Sequence, residues 1–332
     1  MQLPPHKTLF PLLRRLSDGR FHSGEALAIE FGMSRANICN VLAHAETLGI
    51  ALHAVRGRSY CLPTEIEWLD GDAIAMHLGS LREVFDVRVL DSVDSTNRAL
   101  LAAAQKGAAS GTLVCAEHQQ QGRGRRGRPW HSVPGGSLTF SLLWRYDAGL
   151  QSLAGLSLAA GLAVARAVNR HSAHPVGLKW PNDVVVGPRK LAGILVEVQG
   201  DLDGAAFAVV GIGVNVRLGE AQREGIDQAV VDLAELGVTV GRNRLLAECL
   251  AELHAVDELF RTQGFAALRD AWQALDDYAE RPVVLTMPDG RALHGVAAGV
   301  DDIGALRLYP ERGTGPVTLT GGELSLRLGS GR

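Results

Sequence analysis

Between residues 112 and 216 the chain lays down β-type apolar runs, at 112–116, 137–144, 187–197 and 207–216. They are interrupted once by a segment that cannot be buried, Gln119-Gln-Gln-Gly-Arg-Gly-Arg-Arg-Gly-Arg-Pro-Trp130. In it, Arg123, Arg125, Arg126 and Arg128 alternate with Gly122, Gly124 and Gly127. Glycine loses more backbone entropy than any other residue on folding, and nothing apolar here offsets that loss. The segment is therefore expected to be a mobile flap until an anion orders it. Guanidinium forks match phosphate and carboxylate geometry, and Trp130 offers a flat face for a ring. A solvated Arg/Gly nucleic-acid arm is the other reading, but such arms sit in low-complexity surroundings. Flanking strands favour a lid over a phosphate-bearing small molecule.

The chain has 332 residues, enough for two or three domains, and 46% apolar residues, enough for a large core. Its net charge of -3 excludes a chain that is polybasic throughout, so any basic site is local. Cys39, Cys61, Cys115 and Cys249 show neither metal-ligand spacing nor a disulfide framework, which fits a reducing compartment. No signal peptide is read at the N-terminus. The apolar run at 153–165 is too short for a bilayer and reads as a core helix. A soluble cytoplasmic protein without membrane partners is expected.

Residues 1–63 read as helix, short helix, turn, helix, hairpin, the order of a winged helix-turn-helix. Pro11 falls in the first turn of a helix at 8–16. Ser23 and Ser34 are placed to cap the second and third helices, the latter running to 48. Strands at 51–55 and 59–62 flank a turn at Arg56-Gly57. Seven Lys/Arg against four Asp/Glu give this unit +3, opposite in sign to the whole chain, which favours DNA over a docking role. Candidate DNA contacts are Ser34, Arg35, Asn37, Asn40 and His44 on the third helix, with Arg56 and Arg58 on the wing. That helix carries one arginine and no lysine.

From 64 to 278 several β runs with few helices predict a mixed α+β sheet with helices on one face. Ser95 and Thr96 precede a helical run at 98–105; taken alone they read as its N-cap, with hydroxyl contacts to a polar ligand as the functional alternative. Gly211-Ile-Gly213 does not extend to a dinucleotide fingerprint. Residues 217–241 read as polar surface, and 243–260 and 265–278 as helices with apolar stripes. Short strands and turns from 279 to 332 suggest a small SH3-like β barrel.

In the middle domain Arg123, Arg125, Lys179 and Lys190 supply positive charge. Asn182, Asp183 and Asn215 supply oxygens, and Trp130 and Trp180 supply flat surfaces. The inventory suits a nucleotide held with Mg²⁺, which favours a carboxylate, phosphates and water. No Walker A loop is present, so the chemistry left is phosphate handling by positioning and charge neutralisation. Taken alone, Lys179-Trp-Pro-Asn-Asp183 could be a surface turn around a packed Trp.

Five motifs in order then resemble bacterial biotin–protein ligase of the bifunctional type, also the biotin operon repressor. They are Asp94-Ser-Thr-Asn97, Gln119 through Trp130, Lys179-Trp-Pro-Asn-Asp183, Lys190-Leu-Ala-Gly-Ile-Leu-Val-Glu197 and Gly211-Ile-Gly-Val-Asn215. Phe21-His-Ser-Gly-Glu25 and Gly32-Met-Ser-Arg35 also look like that family's repressor domain. The resemblance implies two steps: biotin and ATP give biotinyl-5′-AMP, and a lysine of a carboxylase biotin carrier protein then takes the biotinyl group. It implies that Ser95, Thr96, Asn97, Gln119, Gly193 and Lys190 hold biotin, with Lys190 beside the carboxylate. It implies that Gly122, Arg123, Gly124 and Arg125 wrap the acyl-phosphate and that Trp130 stacks on adenine. Lys179, Asn182 and Asn215 complete the ATP site, and Arg125, Lys190 and Asp183 are the catalytic candidates. Asp183 binds Mg²⁺ or positions the incoming amine; both readings stay open. Operator DNA and an adenylate-dependent homodimer complete the implied partners. A biotin sensor without ligase activity and a lipoate-type ligase are the competing readings.

Overall fold

The computed structural model describes residues 5–55, 59–63, 65–287, 289–313, 315–320 and 325–329. The expected turn at Arg56-Gly57, and with it Arg56 and Arg58, lies outside the described residues.

The N-terminal part comprises α1 (Pro5–Leu16), β1 (His22–Ser23), α2 (Gly24–Glu30), α3 (Arg35–Thr47), β2 (His53–Val55) and β3 (Ser59–Cys61). Ser23 Oγ accepts the N–H of Ala26, and Ser34 Oγ that of Asn37, so both serines cap the helices they precede. Because α1 begins at Pro5, Pro11 lies inside the helix and not in its first turn. The missing proline N–H costs a ladder bond there. Leu9, Leu13, Leu27, Ile38, Leu42 and Tyr60 form a small core. The three strands pair antiparallel in the order β1-β3-β2.

The central part contains α4 (Gly71–Leu78), β4 (Asp86–Val93), α5 (Thr96–Gln105), β5 (Thr112–Gln119) and β6 (Ser137–Tyr146). There follow α6 (Leu156–Asn169), β7 (Gly177–Lys179), β8 (Asp183–Val186), β9 (Arg189–Gly200) and β10 (Ala206–Asn215). After β10 come α7 (Glu220–Glu224), α8 (Arg242–Gln263) and α9 (Ala266–Gln273). The strands make one seven-stranded sheet, β4-β5-β6-β10-β9-β8-β7. Only β4 and β5 pair parallel, with α5 as their crossover, so the sheet is mixed.

Helices cover both faces, not one. Leu100 and Ala104 of α5 pack on Val114, Leu143 and Val209. The alternate residues Leu113, Cys115, Phe140 and Leu142 join α4, α6 and α8 on the other side. With its preceding 3-10 turn, α6 extends to a 20-residue stretch, Leu150–Asn169, long and apolar enough to cross a bilayer. Most of α6 is nevertheless buried against the sheet and α8. Residues 217–241 are not simply polar surface, because Leu218, Val231, Asp232, Leu233 and Val238 are buried anchors.

The tail forms β11 (Pro282–Thr286), β12 (Ala292–Val300), β13 (Leu306–Pro310), β14 (Val317–Leu319) and β15 (Ser325–Leu328). They pair antiparallel in the order β14-β13-β12-β11-β15. Val283, Leu285, Leu306 and Leu308 belong to the same core as Leu178, Trp180 and Phe265, so the tail is fused to the central part. At the other end Trp68 Nε1 donates to Ser17 Oγ (2.7 Å), and Arg14 lies over the Trp68 ring and pairs with Asp91. Gln222 Nε2 donates to the Gly49 carbonyl (3.2 Å). A buried bidentate pair, Arg242 to Glu117 (2.9 and 3.0 Å), ties α8 to β5.

Candidate active site

Strand register creates a bare floor. Gly211 and Gly213 point to the α5 face of β10, while Ile212 between them points into the core. Gly213 sits opposite Thr139 of β6 on one side and Gly193 of β9 on the other. A Cβ on Gly211 would lie 2.1 Å from Asn97 Oδ1, and one on Gly213 would lie 2.2 Å from the Trp130 ring. One on Gly193 would lie 2.8 Å from Lys190 Nζ. Glycine is required because other side chains already occupy the space above it. Around this floor opens a cavity of about 550 Å³, within the usual range for small-molecule sites.

One end of the cavity is neutral. Ser95, Thr96, Asn97 and Gln119 are all buried there. Ser95 caps nothing with its side chain, so the capping expected from spacing does not occur. Thr96 instead turns to β5, its N–H donating to Gln119 Oε1 at 2.8 Å and its hydroxyl lying 3.1 Å from the same oxygen. Ser141 Oγ lies 2.6 Å from Asn97 Oδ1 and 2.7 Å from Thr96 Oγ1. Two hydroxyl protons thus serve three oxygen–oxygen contacts. Within this network acceptors outnumber hydroxyl protons. Asn97 Nδ2 also donates to Glu197 Oε2 (2.7 Å).

The other end is cationic. The flap folds back on itself: Trp130 N donates to Gly122 O (2.8 Å) and Gly124 N to Arg128 O (2.8 Å). At Gly122 a Cβ would lie 2.4 Å from the Trp130 carbonyl oxygen. Arg123 pairs with Glu197 (2.7 Å), and Arg125 donates to Asn182 Oδ1 (3.2 Å). Burial pulls the Arg125 pKa down, opposed by the charge of Asp183, yet a guanidinium stays ionised. Lys190 Nζ lies 2.7 Å from Asp183 Oδ1 and 5.9 Å from the Trp130 ring centre. That approach is off the hydrogen-bonding direction, so Oδ1 has an ionic partner but no hydrogen bond. Burial also lowers the Lys179 pKa, with Asp183 opposing; its ammonium lies 5.5 Å above the Tyr278 ring.

The structure therefore brings Ser95, Thr96, Asn97, Gln119, Arg123, Gly124, Arg125 and Trp130 around one cavity with Lys179, Asn182, Asp183, Lys190 and Gly193. Two expected residues do not line it. Gly122 is a close-packing position under Trp130. Asn215 is buried and spends its amide on the carbonyls of Lys190 (3.2 Å) and Val231 (3.1 Å), holding the Lys190 backbone in place. Trp180 offers no ring face either, since its indole is 1% exposed and donates to Gly304 O at 3.0 Å.

Several lining residues carried no readable signal. Residues 225–229 form one wall, placed by Lys190 N donating to Ala229 O (2.9 Å) and Val231 N donating to Lys190 O (3.0 Å). Leu326, Arg327 and Leu328 arrive from β15, and Thr139 from β6. Thr139 could have been suspected from its alternation with Ser141; the others depend on long-range packing.

Outside the cavity lining, Arg35, Asn40 and His44 are exposed on α3, Asn37 is half-buried, and the Ser34 hydroxyl is engaged in its cap. Among the described residues no three His, Cys, Asp or Glu side chains gather as a metal cage.

Residues 89–215 match the biotin/lipoate A/B protein ligase family. Over 316 residues the chain is 40% identical to the bifunctional ligase/repressor BirA of Salmonella typhimurium, covering 95% of this chain and 96% of that one. It is 38% identical over 226 residues to the biotin–[acetyl-CoA-carboxylase] ligase of Mycobacterium tuberculosis, covering 66% and 82%. Among solved structures it is similar to the Aquifex aeolicus biotin protein ligase in complex with biotin and ATP. The TM-score is 0.62 at 28% identity, with 74% of this chain and 99% of that one covered.

Proposed function

The chain belongs to the biotin–protein ligase family, and from that membership we propose that it joins biotin to protein in two ATP-dependent half-reactions. The observation that carries this reading is the polarity of the cavity. A neutral, acceptor-rich end and a cationic end, joined by a bare glycine floor, complement a ligand with a neutral ring head and a carboxylate tail.

In the first step a biotin carboxylate oxygen bonds to the α-phosphorus of ATP, and the bond from that phosphorus to the bridging oxygen breaks. Pyrophosphate leaves and biotinyl-5′-AMP remains. Ser95, Thr96, Asn97 and Gln119 hold the head over Gly193 and its neighbours. Lys190 meets the carboxylate, with Asn215 fixing its backbone. Arg123, Gly124 and Arg125 surround the phosphate, Lys179 and Asn182 complete the ATP site, and Trp130, seated by Gly122, stacks on adenine. The rate gain comes from positioning and charge stabilisation.

Asp183 would hold a Mg²⁺ arriving with ATP, since its Oδ1 makes no hydrogen bond and Mg²⁺ needs few protein ligands. The ion would supply charge neutralisation on the phosphates. Without it, Asp183 orients Lys190 and then the incoming amine. In the second step the neutral amine of a lysine on a biotin carboxyl carrier protein, an acetyl-CoA carboxylase subunit, bonds to the acyl carbon. The acyl–oxygen bond breaks, AMP leaves, and the amine proton passes to solvent. A closed flap keeps water from the same carbon. Incubation with biotin, Mg-ATP and apo carrier domain should label the carrier; an unlabelled carrier sinks the reading. Exchange driven by lipoate and not biotin would move it to the lipoate branch.

A second activity is supported by the N-terminal part and by ligase/repressor relatives that the chain matches over 96% of their length. Three helices and a small sheet support a winged helix-turn-helix at 1–63, ahead of a catalytic domain at 64–278 and an SH3-like barrel at 279–332. Arg35, Asn40 and His44, exposed on α3, meet operator DNA in this reading, and Arg56 and Arg58 are further candidates from the sequence. Adenylate-bound protein pairs as a homodimer on it, in the cytoplasm. A gel shift with DNA from upstream of biotin-synthesis genes tests this; equal affinity for wild type and Arg35→Ala, with or without adenylate, refutes it.

A further inference from the structure

Thr139 is the unexplained polar group of the cavity. It is 3% exposed, lines the cavity, and its hydroxyl finds no hydrogen-bond partner among the described residues. Buried hydroxyls nearly always have one. Thr139 stands two residues from Ser141 on β6, so both side chains face the same way. Ser141 is already part of the acceptor-rich network with Thr96 and Asn97. Across the sheet Thr139 is opposite Gly213, which has no side chain to meet it. Trp130, lying over Gly213, has its own buried indole N–H without a partner. Two orphaned polar groups thus border one patch of floor, beside the acceptor-rich network of Ser141, Thr96 and Asn97.

We infer that Thr139 is a specificity-determining residue whose Oγ1 accepts an N–H from the cyclic urea of biotin. This rests on the ligase reading above. A urea ring brings two N–H donors and one acceptor, which is what a proton-poor cluster of hydroxyl and amide oxygens lacks. A carboxylic acid without such a ring leaves the Thr139 hydroxyl buried and unpaired, and that penalty discriminates against it.

The test is Thr139→Val, which keeps the shape and removes the hydroxyl. Two changes of opposite sign are expected. Ligand-free protein melts at a higher temperature, because an unpaired buried hydroxyl has gone. Biotin binds about tenfold more weakly by calorimetry, and the biotin KM rises by a like factor while kcat holds. Thr139→Ser restores binding. Dethiobiotin, which keeps the urea and lacks the sulfur, loses the same factor. A loss confined to biotin overturns the inference in favour of a sulfur contact. Unchanged biotin affinity in Thr139→Val, with wild-type exchange intact, overturns it and leaves the ligase reading standing. Wild-type protein that neither binds biotin nor exchanges pyrophosphate takes both down.

Discussion

Gly213→Ala offers a quantitative test of the glycine floor. The new Cβ would lie 2.2 Å from Trp130 Cε2, whereas ordinary contact begins near 3.4 Å, so the ring must move by the difference, about 1.2 Å. The strand cannot retreat, because Gly213 is paired on both sides, with Thr139 and with Gly193. Trp130 can move, since it rides on a half-exposed flap tied by its own N–H to Gly122. Overpacking a rigid core costs roughly 1–3 kcal/mol; release through the flap should hold the stability loss to about 1 kcal/mol. A misplacement near 1 Å in a reacting assembly costs roughly 10²-fold in rate. The expectation is therefore a 10²-fold fall in biotin-dependent ATP–pyrophosphate exchange with a nearly unchanged melting temperature. Gly161→Ala, whose Cβ meets Leu178 at a comfortable 3.5 Å, serves as the silent control. If the clash is the cause, the double variant with Trp130→Ala behaves like Trp130→Ala alone. Near-normal exchange in Gly213→Ala, or a further loss in the double variant, would refute the reasoning.

Arg125→Ala should let biotinyl-5′-AMP escape faster, about tenfold or more, because an acyl-phosphate loses a charge-assisted partner; a filter-binding time course with unchanged release counts against it. Glu117→Gln should cost roughly 3–5 kcal/mol in urea melts, since it leaves Arg242 buried and unpaired; a loss below 1 kcal/mol would show that water or backbone carbonyls suffice. Burial raises the Asp276 carboxyl to about 6, so the folded state binds its proton more tightly than the unfolded state does. That group costs nothing below the unfolded value near 4, and its cost grows from there to about pH 6. Asp276→Asn should therefore stabilise the protein at pH 7 relative to pH 4, and equal effects at both pH values would exclude this ionisation.

Much of the chain was legible because its signals are local. Ser23 and Ser34 announce helices α2 and α3 through spacing alone, and the structure keeps both caps. The β runs alternate or stay apolar as their burial requires, and Arg123, Arg125, Asp183 and Lys190 carry motifs dense enough to mark a site. Ser95 and Thr96 misled because a cap and a ligand contact look alike in one dimension. Gln119, 23 positions from Thr96, and Ser141 settle where Thr96 points.

The sequence by itself thus determined most elements, the caps of α2 and α3, the charge of the flap and the family. Tertiary structure decided what those elements enclose. Register, set by pairing along β6, β10 and β9, put Thr139, Gly213 and Gly193 in one row and removed side chains where Trp130 and Lys190 lie. Packing turned Asn215 and Trp180 inward and drew residues 225–229 and 326–328 to the cavity wall. The physical reason is range: capping and periodicity act within a few residues, while a cavity is the volume left over after distant segments have buried their apolar faces.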